Sequence, residues 1–343
     1  MQKINFYHNF ELFKKHINFP NSKECPQRMD IIKKAFDSAN QQNLINSIRI
    51  SENNLEKIDY REAVLNLHSQ EHLVSVEDSP KKQTALYPIK TFINTLANST
   101  KDGQISYYAM RPPGHHSFAG GSQKDDHIDN ASYVGEGFCY FNNVAFASIY
   151  TAKNLGKKAI LVVDWDYHHG NGTQNSFFDF TENEIKSRHT DFDVYFLSIH
   201  NATIYPYEED ANSIPNNFGT INAKATNSNS QLRNIHIGKN DFNKATYLPI
   251  FKKAIDEAFE NITPDMIFIS AGFDARKGDP VAKFVDGQGL GDSSYYEMAK
   301  YIKQKQQQTS PKTPIISLQE GGYNITDEGF SNAVVEHIKG LVE

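Results

Sequence analysis

The residues Asp164-Trp165-Asp166-Tyr167-His168-His169-Gly170-Asn171-Gly172 gather acids and imidazoles directly behind an apolar run. In extended backbone the alternate residues Asp164, Asp166 and His168 project to one side, so their donors share one site. Carboxylates and an imidazole at this spacing suit a borderline-soft divalent metal. Asp274, which follows the apolar run 267–270, can close a three-ligand set with Asp166 and His168 and leave a fourth position for water. A lone D-x-D is about three times more often a pair of loop acids beside a hydrogen-bonded histidine. Here several acids crowd the end of one apolar strand, where they would repel and desolvate one another without a cation, and that context reverses the odds.

Three further clusters carry reactive side chains. Arg111-Pro112-Pro113-Gly114-His115-His116 presents adjacent histidines on a loop that two prolines stiffen. A bare His-His pair is about four times more often packing than catalysis, but a rigid loop beside a candidate metal changes that weighting. Gly137-Phe138-Cys139-Tyr140-Phe141-Asn142-Asn143 leads into a helix, and Phe138, otherwise an ordinary core residue, can wall a narrow pocket. In Glu320-Gly321-Gly322-Tyr323 the glycines can aim the Tyr323 hydroxyl into the same site, although alone the motif is only a turn.

The elements that must position these groups are legible as short apolar runs alternating with helical periodicity, which predicts an α/β protein. Strands are expected at 104–109, 159–163, 194–199, 266–270 and 314–318, and helices at 27–36, 86–96, 142–154, 243–260, 293–307 and 329–341. Ligands of an open α/β sheet bind beyond the carboxyl ends of its strands, and the four polar clusters 111–116, 164–171, 270–274 and 320–323 each follow a predicted strand. The stretches 117–136 and 207–231, rich in small and polar residues, read as long loops rather than interdomain linkers, so residues 1–343 are expected to form a single domain.

With 35 Lys and Arg against 41 Asp and Glu, the net charge is −6, which argues against direct nucleic-acid binding. No run of about 18 apolar residues and no secretion signal is visible, so no membrane association is expected. Cys25 and Cys139 are too few for a disulfide framework and suit a reducing compartment; a cytoplasmic location is expected.

In order along the chain, R-P-P-G-H-H, G-F-C-Y-F-N-N, D-W-D-Y-H-H-G-N-G-T, A-G-F-D and E-G-G-Y resemble the histone deacetylase and acetylpolyamine amidohydrolase family. Cys25-Pro26-Gln27-Arg28, the segment 68–74 and Gly278-Asp279-Pro280 extend the resemblance over most of the chain. It implies a single arginase-like α/β domain with a mainly parallel central sheet flanked by helices. It also implies zinc on Asp166, His168 and Asp274, a catalytic pair His115 and His116 oriented by Asp164 and Asn171, and Tyr323 as the carbonyl-polarising hydroxyl. Phe138 and Tyr205 would grip the stem of an acyl-lysine, with Gly137 and Val281 as further substrate-binding positions. A structural potassium ion is expected at Asp164, Asp166, His168, Ser198 and Ile199, with a second site near Phe177 and Val194. The resemblance implies zinc-dependent hydrolysis of an acylated lysine in a protein or peptide, or of an acetylated polyamine, and says nothing of oligomeric state.

Several positions depart from the family pattern. Asn171 stands where one branch has Asp, as in the class II branch, so His116 lacks a charged partner and should serve more readily as a neutral base. The segment 72–86 is short where many members carry a loop with an acidic substrate clamp; Glu77 or Asp78 could supply that acid. The longer stretch 117–136 could replace part of the rim. A polyamine-specific branch has Glu just after its G-D-P turn, where this chain has Val281, which favours acyl-lysine. A two-manganese ureohydrolase would need an aspartate two residues beyond Asp274, where Arg276 stands, and an inactive interaction module would be expected to have lost one of the reactive groups, all of which are present.

Overall fold

The computed structural model describes residues 2–80, 82–120, 136–180, 184–207, 218–282, 284 and 287–343. In chain order its strands are β1 (Ile4–His8), β2 (Ile45–Arg49), β3 (Ile105–Ala109), β4 (Ala159–Asp164), β5 (Phe178–Phe180), β6 (Ile185–Ser187), β7 (Asp193–His200), β8 (Ala223–Lys224), β9 (Gln231–His236), β10 (Met266–Ala271) and β11 (Ile315–Gln319). Nine of them form one sheet in the order β2-β1-β3-β11-β10-β4-β7-β9-β8, parallel throughout except for the β8–β9 pair. β5 and β6 make a separate antiparallel pair.

The central strands read as continuous apolar runs because helices cover both faces at the centre of the sheet and keep those strands from water. Every residue of β3, β10 and β11 is buried. The helices Arg28–Gln41, Gly329–Val342, Asp292–Thr309 and Lys244–Asn261 pack one on the next, and Leu86–Ser99 packs on Asn143–Leu155. Two of these helices start on an asparagine cap: Asn142 Oδ1 accepts from the Ala145 N–H at 3.0 Å, and Asn243 Oδ1 from the Thr246 N–H at 3.1 Å. The expected strands and helices all form, most with ends shifted by a residue or two; the first helix runs on to Gln41.

In the nine-stranded sheet β1, β2 and β9 are additional to the expected strands, as is the β5–β6 pair outside it, and part of the stretch read as the loop 207–231 is the short strand β8. β2 and β9 carry mostly polar residues with intermediate or exposed side chains, so neither shows the apolar run that marks the centre of the sheet. Residues 121–135, expected to contribute to a rim, lie outside the described residues.

Chain order places the reactive clusters. β10 and β11 come last and fill the gap between β3 and β4, so the strands that precede the four clusters become the neighbours β3-β11-β10-β4. Their register aligns Tyr108, Leu318, Ser270 and Asp164 in one row, which continues to Ser198 of β7. The carboxyl ends therefore lie level, and the loops that leave them converge.

Candidate metal and catalytic site

Asp166, His168 and Asp274 each offer a ligand atom, and the three atoms lie within 4.8 Å of one another. His168 Nδ1 is 2.8 Å from Asp274 Oδ2 and 3.2 Å from Asp166 Oδ1. Backbone donors fix the carboxylates: Tyr167 N–H donates to Asp274 at 2.9 Å, and Gly321 N–H and His168 N–H donate to Asp166 at 2.9 and 3.0 Å. A Cβ on Gly321 would come within 2.4 Å of Asp166 Oδ2 and 2.7 Å of Asp274 Oδ2, so only glycine lets this backbone approach both acids.

Burial opposes charge on His168, yet Asp274 and Asp166 overcome it and push the imidazole up to about 10. A proton thus compensates two buried carboxylates at the place where a cation would otherwise do so. One imidazole nitrogen and two carboxylate oxygens form a donor set that fits a zinc ion with an open position. The adjacent His169 turns elsewhere: its Nδ1 pairs with the Tyr207 hydroxyl, and its ring stacks on His200 at 4.2 Å.

Both histidines of the R-P-P-G-H-H loop are buried, with ring centroids 4.0 Å apart. His115 Nδ1 lies 3.0 Å from Asp164 Oδ2, whereas His116 Nδ1 lies 2.7 Å from Asn171 Oδ1. These partners split the pair electrically. Against the cost of burial, Asp166 and Asp164 push His115 up to about 10. Burial, reinforced by the imidazoles of His115 and His168, holds His116 well below the usual histidine range. Gly137, at φ +50°, permits this packing, since a Cβ there would sit 2.3 Å from His116 Cδ2.

Tyr323 is buried against Phe138, with ring centroids 5.6 Å apart, and burial raises its hydroxyl well above the usual tyrosine range. A channel of about 330 Å³ leads to His168 past Phe138, Tyr205 and Val281. Tyr205 meets the His116 ring edge-on at 5.1 Å. The structure therefore brings together the expected metal donors, the histidine pair with its partners, Tyr323, and the channel residues Phe138, Tyr205 and Val281. Gly137 acts on His116 and is not part of that channel lining. Ser198 sits beside Asp164 in register and hydrogen-bonds His200 Nδ1 at 2.9 Å. Glu77 is tied to Tyr60 and Arg61 and, like Asp78, does not line the channel.

Three carboxylates that sequence reasoning gave no role hold the site in shape. Glu24, fully buried, bridges Arg111, which opens the histidine loop, and Arg28. Arg28 in turn donates to the carbonyl oxygens of Gly322 at 2.7 Å and Glu320 at 2.5 Å. Burial would raise the Glu24 carboxyl, but Arg111 and then Arg28 pull it down to about 2. The Glu320 carboxylate accepts from the Gly114 N–H at 2.7 Å and the His115 N–H at 3.3 Å, tying the last turn to the histidine loop. Asp279 accepts from the Tyr323 N–H at 2.7 Å and the Val281 N–H at 2.9 Å, which fixes the tyrosine and the channel wall together.

Residues 89–341 match the family described as Histone deacetylase domain. Similar proteins include the chloroplastic histone deacetylase 14 of Arabidopsis thaliana, 30% identical over 72% of this chain and 48% of that protein. A probable deacetylase of Methanothermobacter thermautotrophicus is 32% identical over 69% of this chain and 58% of its own. The type-2 histone deacetylase 2 of Dictyostelium discoideum is 33% identical over 69% of this chain but only 12% of its own length. The chain thus spans less than two thirds of each of these relatives. The crystal structure of the HDA15 HD domain superposes with a TM-score of 0.71 at 21% identity, covering 99% of this chain and 90% of that one, a likeness of fold. The chain belongs to the histone deacetylase domain family.

Proposed function

We propose that residues 1–343 act as one zinc-dependent deacylase domain that hydrolyses the amide of N6-acyl-lysine in a protein or peptide and releases a carboxylate. The contrasting partners of two touching histidines, Asp164 for His115 and Asn171 for His116, beside a buried metal-ready triad, carry this reading. Zinc held by Asp166, His168 and Asp274 would polarise the amide carbonyl and acidify a water molecule.

The chain's own groups supply the rest. Asn171 Oδ1 can only accept, so His116 carries its proton on Nδ1 and presents a free lone pair on Nε2. Being neutral at pH 7, it takes the proton of the attacking water as a general base. His115 keeps its proton under the pull of the carboxylates and delivers it to the departing amine. Zinc on Asp166 would draw on that acid's charge; Asp164, shared with the proposed potassium ion, would keep its Oδ2 3.0 Å from His115 Nδ1 and hold the proton there. The Tyr323 hydroxyl remains protonated and donates to the carbonyl oxygen as negative charge develops there. Phe138, Tyr205 and Val281 would enclose the aliphatic stem and exclude water. A potassium ion near Asp164, Ser198 and Ile199, with a second near Phe177 and Val194, completes the proposed cofactors.

The test is hydrolysis of fluorogenic acyl-lysine peptides and acetylated polyamines, with and without a zinc chelator, beside His116→Ala. Chelator-sensitive cleavage of acyl-lysine that disappears in the variant is the expected result. Cleavage of polyamines alone would replace the substrate class, and no cleavage by folded, zinc-loaded protein would overturn the reaction.

A further inference from the structure

The mouth of the channel has a chemical character of its own. Lys23 and Lys239 both line the channel, and no carboxylate does so among the described residues. Beside it opens a second cavity of about 800 Å³, which shares Lys23 and Pro280 with the channel, so the two are neighbours along one groove-like face. Among the described residues, the acid lining this second cavity is Glu24, which is buried and already neutralised by two guanidinium groups. In a chain with a net charge of −6, the described mouth therefore presents cations against the overall sign.

The same groove collects exposed apolar surface. Among the described residues, the large hydrophobic side chains most open to solvent are Ile17, Phe19, Leu65, Tyr205 and Ile325, at 37% to 62% exposure. Ile17, Phe19 and Ile325 line the second cavity, and Tyr205 lines the channel. Phe19 also packs on Phe138 at 5.9 Å between ring centroids, joining the apolar groove to the channel wall. Exposed apolar surface gathered around a concave mouth marks a recognition surface.

Resting on the deacylase reading above, we propose that this groove selects protein segments in which the acyl-lysine is flanked by an acidic and an apolar side chain. Lys23 and Lys239 attract the acid, and Ile17, Phe19 and Ile325 cover the apolar residue once the acyl-lysine has entered the channel. The same lysines repel a polyamine chain and a Lys- or Arg-rich tail, because like charges brought together at a binding mouth count against the wrong partner. An exposed ion pair is worth up to about fivefold, so the two lysines together give about a tenfold preference that salt weakens.

Two labelled acetyl-lysine peptides, identical except for Glu or Lys residues flanking the acetyl-lysine and a common leucine, provide the test. Binding to the zinc-loaded full chain is read by fluorescence anisotropy in the His116→Ala background, and kcat/KM is read in the unaltered chain. The Glu peptide should bind about tenfold more tightly at low salt. The preference should shrink as salt is raised and should reverse in a Lys23→Glu, Lys239→Glu variant. Should charge reversal impair folding, Lys23→Ala with Lys239→Ala should abolish the preference. Exchanging the leucine for glutamine should weaken binding several-fold to the unaltered groove and much less to an Ile17→Ser, Phe19→Ser variant.

Equal binding of the two peptides, tighter binding of the Lys peptide, or a preference that ignores the lysine substitutions would overturn the proposal. Hydrolysis without a flank preference would sink the groove and leave the reaction standing. A flank preference in binding without hydrolysis would do the reverse.

Discussion

Glu24→Gln removes the negative charge held between the buried guanidinium groups of Arg28 and Arg111. Breaking a buried ion pair from one side strands the partner charge and costs about 3–5 kcal/mol. Proton linkage gives a second route to the magnitude. The Glu24 carboxyl moves from 4.5 to about 2 on folding, which at 1.36 kcal/mol per pH unit corresponds to about 3 kcal/mol. Because the folded value is depressed, this stability is present above about pH 4.5, falls to roughly half by about pH 3, and is lost as the pH drops through about 2. Urea denaturation of the metal-free unaltered chain and of Glu24→Gln, at about pH 6 and about pH 3, measures it with zinc linkage removed. The gap between the two proteins should be about 3 kcal/mol at the higher pH and about half that at the lower. A gap that stays constant across this range would refute the assignment of Glu24 as an ionised bridge. Any folded fraction of the variant should also turn over more slowly, because the histidine loop and the Tyr323 turn lose a common anchor.

Asn171→Asp places a carboxylate 2.7 Å from His116 Nδ1. It should move the acid limb of the pH profile of kcat/KM upward by about one to three pH units, and an unchanged limb would remove His116 from the role of neutral base. Gly137→Ala drives a methyl group against His116 at a positive φ, and should lower kcat by about a hundredfold while circular dichroism stays native. Zinc binding should release close to one proton near neutral pH, because metal-free His168 holds one up to about pH 10, and affinity should therefore rise with pH. Calorimetry in buffers of different ionisation enthalpy measures that proton, and no release would mean that His168 is not a ligand.

What the sequence disclosed, and what it hid, follow from the range of the interactions involved. The central strands were legible because burial on both faces demands apolar residues throughout, as in Met266–Ala271. β2 and β9 join the sheet through backbone hydrogen bonds that leave little mark on side-chain type, and Ile45–Arg49 remains largely open to solvent. The reactive residues were legible because each cluster is contiguous and follows its strand. Their convergence needed only the rule that ligands gather at the carboxyl ends of such strands, which the order β3-β11-β10-β4 satisfies. The supporting acids had no local signature. Glu320 reaches Gly114 across 206 residues and Glu24 reaches Arg111 across 87, so nothing beside either acid in the chain reveals its partner. In the E-G-G-Y motif the glycines and tyrosine carry the visible chemistry, while its glutamate positions the histidine loop. A buried carboxylate of this kind becomes recognisable once two loops are known to approach each other, because the backbone donors of one must then be satisfied by the other. The reactive groups are therefore encoded locally, whereas the contacts that hold them in place are encoded in pairs distant along the chain, and Glu24, Asp279 and Glu320 are where substitution should weaken the fold and the proposed reaction together.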